Sequence, residues 1–186
     1  MSTSKDFVTQ IPESKLSKFL FSDTKLALLW LLLRIYVGIQ WLMAGLEKMQ
    51  SDVWVGSHSG TALKGFLMGA LQKTTQPHPD VQGWYAWFIT HIVLSNVIIF
   101  SYLVTFGEIA VGIALILGLF TGIAAFFGSF MNMNYLFAGT VSINPLLFLC
   151  ELGLLLAWRV AGWYGIDRAL LPLLGTPWNP GKVFSK

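Results

Sequence analysis

Charge is scarce in this chain: 11% of its 186 residues are Asp, Glu, Lys or Arg, against roughly 25% in a soluble domain. With 55% hydrophobic residues, that shortage argues against a soluble globular domain and predicts an integral membrane protein. Cysteine is scarcer still. Cys150 stands alone, which excludes an internal disulfide, a CxxC redox pair and a cysteine-built zinc or iron–sulfur site. No haem ligand pair, dinucleotide fingerprint, phosphate-binding loop or serine triad is present, so no metal or haem is expected. His58 and His78 have no metal-ligating partner one helical turn away. A signal peptide is not expected either, because residues 1–24 are polar, carry Asp6, Glu13 and Asp23, and lack a short apolar region followed by a cleavage site.

The sequence pI of about 9.1 raises nucleic acid as a partner. The basic residues are not clustered as that would require. Lys5, Lys15, Lys18, Lys25, Arg168, Lys182 and Lys186 lie towards the two ends, and Arg34 and Arg159 lie inside apolar runs. Membrane topology accounts for that distribution, so no nucleic acid is expected.

Four apolar stretches are long enough to cross a bilayer, which needs about 20 residues. They run from about Leu26 to Leu46, Val97 to Leu119, Gly122 to Gly139, and Asn144 to Trp163. The fold class expected is an all-α, four-transmembrane-helix bundle with an outer loop carrying short amphipathic helices. The short links between the last three spans make them antiparallel neighbours. The organisation is then an N-terminal tail (1–24), a membrane domain (25–170) with a long outer connection (49–96), and a C-terminal tail (171–186). Leu63, Phe66, Leu67, Ala70 and Leu71 form a helical stripe within that connection, and Trp84, Tyr85, Trp87 and Phe88 read as an aromatic belt. His91, among these aromatics, reads as a belt residue. Leu16, Phe19 and Leu20 suggest a short interfacial helix. By the positive-inside rule both tails are cytoplasmic, which predicts a multi-pass protein of the plasma membrane. Gly118 and Gly122 straddle a link and read as a tight turn.

Polar residues inside apolar spans are costly and draw attention to function. Arg34, Glu108 and Glu151 are the catalytic candidates. Arg34 sits near the expected midplane, and the two acids are its candidate partners in a shared interior. Gln40, Trp41, Lys48 and Asn132 are the candidate substrate- or quinone-binding residues. Arg34, Gly38, Trp41, Gly45 and Lys48 share one helical face. A guanidinium can donate bidentately to an oxoanion or a quinone oxygen, and a carboxylate beside it can carry protons. Counting helix rise from the outer ends places Gln40, Asn132 and Glu151 about 10 Å deep and Arg34 and Glu108 about 16–18 Å deep. Cys150 reads as an inert small hydrophobe, Asn134 as a weaker polar candidate, and Met131 and Met133 as gap-fillers.

The run from Arg34 to Lys48, with its terminal Gly45-Leu-Glu-Lys48, resembles the opening helix of the DoxX/DoxD family. Gly162-Trp-Tyr-Gly-Ile-Asp167 resembles the ending of the same family, and Gly107-Glu108 with Gly112 and Gly118 its glycine-rich second helix. The long outer connection is closer to the DoxD branch. That resemblance implies the membrane subunit of a thiosulfate:quinone oxidoreductase, with quinone as electron acceptor and a small DoxA-like partner subunit. The rival expectation is a non-catalytic anchor or accessory subunit of a larger respiratory or redox complex, and a homo-oligomer stays open. A transporter is disfavoured by the lack of a broken-helix pair or repeat.

Overall fold

The computed structural model describes residues 13–75 and 77–175, whose regular elements are all helical, with no strand among the described residues. The expectations resting on Lys5, Asp6, Lys182 and Lys186 fall outside the described residues. In chain order the α-helices are α1 (Lys15–Ser22), α2 (Ala27–Met49), α3 (Thr61–Gln72), α4 (Gly83–Phe88), α5 (Val97–Leu117), α6 (Thr121–Phe137), α7 (Asn144–Leu156), α8 (Trp158–Ala161) and α9 (Asp167–Leu173).

The helix limits follow local chemistry. Ser14 accepts from the amide of Ser17 and caps α1. Pro145 occupies the first turn of α7, where a missing N–H costs nothing. Gly118 ends α5 at φ 66°, a left-handed conformation suited to glycine, so the tight turn expected there is present. The second long helix begins earlier than Val97, contrary to expectation. α4 runs through a π turn (Ile89–Val93) and a 3-10 turn (Leu94–Asn96) into α5, so Gly83–Leu117 is continuous. The aromatic cluster is therefore the first turns of this helix.

Two helical stretches, Thr24–Met49 and Gly83–Leu117, are long and apolar enough to cross a membrane. Four helices, α2, α5, α6 and α7, pack around one core that includes Trp30, Val37, Trp41, Leu115, Ala125 and Leu154. α2 and α5 make the closest pair. A Cβ on Gly112 would lie 2.6 Å from the Leu42 amide nitrogen, and one on Gly45 2.8 Å from that of Ile109. Such backbone proximity is how helices associate where lipid removes the hydrophobic drive. A second cluster, with Leu63, Leu67, Tyr85, Ile89 and Val93, seats α3 against α4 and the π turn.

The polarity of the molecule is inverted relative to a soluble bundle. Leu32, Met43, Leu103, Phe126 and Leu149 point outward and are half or more exposed, while Arg34, Glu108, Asn132 and Glu151 are buried. An apolar exterior around a polar interior is the arrangement a bilayer demands.

Candidate functional site

Three polar layers succeed one another along the bundle. The first lies at the α3–α4 end, where Lys48 near the end of α2 donates to both oxygens of Glu108, at 3.0 and 2.8 Å. Tyr135 of α6 donates its phenol to the same carboxylate at 2.6 Å. Lys48 also lies 5.2 Å from the ring centre of Trp54 and keeps 19% of its side-chain surface exposed. An uncompensated buried charge costs several kcal/mol, so the lysine and the acid answer each other.

The second layer is one turn further in. Glu151 of α7 accepts from the indole N–H of Trp41 and, at 2.7 Å, from the Asn132 amide. A Cβ at position 128 would come within 2.5 Å of Glu151 Oε1, so Gly128 makes room for this carboxylate. Both donors are neutral, and the Asn132 carbonyl oxygen has no hydrogen-bond partner among the described residues. Trp41 and Tyr135 stack at 6.5 Å and join the two layers.

Arg34 belongs to neither. One guanidinium nitrogen donates to the carbonyls of Leu115 (2.7 Å) and Ile116 (3.4 Å), and the other to that of Tyr164 (3.2 Å). The last four carbonyls of a helix lack intrahelical partners, and Arg34 serves two of those at the end of α5. Asp167 does the converse at the start of α6, accepting from the amides of Phe120 (2.6 Å) and Thr121 (2.8 Å). The amides of Ile166 and Asp167 donate to the carbonyls of Leu117 and Gly118. A Cβ on Gly165 would sit 2.7 Å from the Gly118 Cα. Arg34, Gly165 and Asp167 thus form a clasp on the turn between α5 and α6.

This corrects the expected pairing of Arg34 with Glu108 or Glu151 and the expected order of depths. Gly45, the α2 residue facing Glu108, is eleven residues from Arg34, about 16 Å along the axis. Depth counted from Val97 misplaced Glu108, because α5 extends past the end of α2. Lys48, Trp41 and Asn132 do join the acids, whereas no hydrogen bond links half-buried Gln40 to either. Tyr135 was missed, although its place three residues after Asn132 puts it on the same helical face.

An apolar groove of about 640 Å³ opens between α5 and α6 beneath α3, lined by Phe66, Phe100, Val104, Ala110, Phe127, Met131 and Tyr135 among others. Tyr135 is thus shared between the groove and the Lys48–Glu108 pair. The family model described as DoxX matches residues 29–140. This chain belongs to the DoxX family. Comparison with curated proteins and with solved structures returned no match. The DoxX match carries Lys48, Glu108, Asn132 and Tyr135, and it stops short of Glu151 and Asp167.

Several other polar residues of the DoxX chain have local partners. Arg159 pairs with Glu13 at 3.0 Å and lies 5.5 Å from the Trp158 ring centre. His91 stacks on Trp87 at 5.0 Å. Among the described residues no three His, Cys, Asp or Glu side chains come together in a metal-binding group. In the loop after α2, His58 Nδ1 lies 2.5 Å from Asp52, which also accepts from the Ser57 amide and hydroxyl. The His58 hydrogen bond first, then those of Ser57, hold the Asp52 carboxyl below its ordinary value. A depressed folded-state pKa means that the contribution is present above the ordinary aspartate value, about 3.9, and is lost as pH falls through the folded one. An NMR titration of Asp52 should give a midpoint below that ordinary value, moving back towards it in His58→Ala.

Proposed function

We propose that this DoxX chain is the membrane subunit of a quinone-linked sulfur oxidoreductase, oxidising thiosulfate to tetrathionate. In this reading α2, α5, α6 and the α7–α8 pair all cross the plasma membrane, both ends are cytoplasmic, and a small partner subunit completes the enzyme. The observation that carries it is the apolar groove whose wall includes Tyr135, a phenol already bonded to a carboxylate and, through it, to a lysine.

The fit can be argued from the groove itself. Its volume is in the range of small-molecule sites, about 300–1,000 Å³. Its side chains suit an isoprenoid tail, and Tyr135 and Asn134 supply the polar atoms a quinone ring needs. Quinone supplies the oxidising power: two thiosulfates join through a new S–S bond, and the two electrons released leave with two protons as quinol. The residues of the chain have the protonic half of that task. Tyr135 can give its phenolic proton at the groove wall and regain one from Glu108, and Lys48 reaches from that acid towards the surface. Glu151, with Trp41 and Asn132, forms the second proton-accepting layer. In this assignment Arg34 positions the helices.

The test is reduction of decylubiquinone by thiosulfate, followed spectroscopically with the purified chain and with any subunit that co-purifies. Ala110→Phe places a ring on an exposed, groove-lining position and should raise the quinone KM about tenfold with kcat little changed. Turnover absent from both preparations would overturn the reading and leave the accessory-subunit alternative. An unchanged KM would move quinone out of this groove.

A further inference from the structure

At the end of the bundle opposite α3 and α4 lies a second cavity of about 740 Å³, open to the surface and bounded by α1, the following turn and Arg159. Lys15, Lys18, Phe19 and Ser22 line it from one face of α1, at the spacing of a helical stripe. The helix is fixed, because the Trp30 indole donates to the Leu20 carbonyl at 2.9 Å and packs at a tilt against Phe21, ring centres 6.0 Å apart.

The charges around this cavity are unequal in availability. Glu13 is taken by Arg159 at 3.0 Å, and Arg159 also reaches the Ser22 hydroxyl at 3.5 Å. Asp23 accepts from the Lys25 amide at 2.9 Å. Lys15 and Lys18 have no anionic partner among the described residues, and both are exposed. Beside them Leu16 is 66% and Phe19 45% exposed. Cations next to unburied apolar side chains, on a short helix held at the end of a membrane bundle, match the boundary between headgroups and acyl chains.

We propose that this cavity binds the phosphate of an anionic phospholipid, with Lys15 and Lys18 donating to the phosphodiester and Leu16 and Phe19 entering the acyl boundary. A phospholipid fits better than a soluble anion because the apolar pair would otherwise stay in water beside the charges. The site is separate from the groove and does not depend on the redox reading.

Native mass spectrometry of the full chain in detergent, offered equimolar phosphatidylglycerol and phosphatidylcholine, tests this directly. Phosphatidylglycerol should be retained preferentially. Lys15→Ala/Lys18→Ala should weaken its binding about 25-fold, at about fivefold for each lysine near the headgroups. Lys15→Arg/Lys18→Arg should retain it, as should Lys64→Ala at the opposite end, and glycerol 3-phosphate should not displace it. Equal retention of both lipids, unchanged binding in the alanine variant, or displacement by glycerol 3-phosphate would each overturn the proposal.

Discussion

Arg34→Ala should lower the stability of the folded chain by about 3–5 kcal/mol, the range seen when one partner of a buried charged cluster is removed. Three backbone carbonyls, of Leu115, Ile116 and Tyr164, lose a side-chain donor together. Asp167 is left buried, at 2% exposure, without the guanidinium charge that interacts with its own. Arg34→Lys should recover only part of the loss, because one ammonium cannot reproduce the fork that reaches both the end of α5 and the turn before α9. Denaturation in mixed micelles measures the effect, and turnover per folded molecule separates its causes. Turnover in proportion to the folded fraction marks a positioning role. Full stability with turnover abolished would return the guanidinium to the reaction.

Tyr135→Phe should reduce quinone turnover by roughly 100-fold, the lower range for a general acid–base group, while leaving the quinone KM within a few-fold. The substitution removes only the hydroxyl that bonds Glu108 and keeps the ring stacked on Trp41. Glu108→Gln should be equally slow and also less stable, because Lys48 loses its anion. Adding Lys48→Met to Glu108→Gln removes the stranded charge. Stability should recover and turnover should not, and that divergence separates a proton-carrying acid from a structural one. Recovery of both would leave the pair a packing device. Stopped-flow quinone reduction and thermal melting on the same three proteins provide the two readouts.

Much of the helical layout is legible from residue order alone. Apolar run lengths located α2, α5, α6 and the α7–α8 region, the Leu63–Leu71 stripe located α3, and Asn144-Pro145 marked the start of α7. The lysine and the asparagine that meet the acids were also legible, since each shares a helical face with other polar or small residues. Arg34 was misjudged for a physical reason. Its acceptors are main-chain carbonyls at a helix end, and carbonyls leave no trace in residue identity. Glu108 was set too deep because helix rise fixes spacing within one helix and says nothing of the stagger between two. That stagger is set by the glycine contacts of Gly45 and Gly112, which appear only once α2 and α5 are packed. The groove was hidden for a similar reason: its walls come from separate helices, and no one of them shows it alone.

The clasp on the α5–α6 turn also has a consequence for biogenesis. Its arginine is synthesised before that hairpin, and its aspartate more than forty residues after the turn itself. The ribosome therefore delivers α5 and α6 to the bilayer with their turn held from one side only, and the hairpin is locked when the segment around Asp167 emerges. A chain stopped before that residue would carry every long helix and still lack its latch.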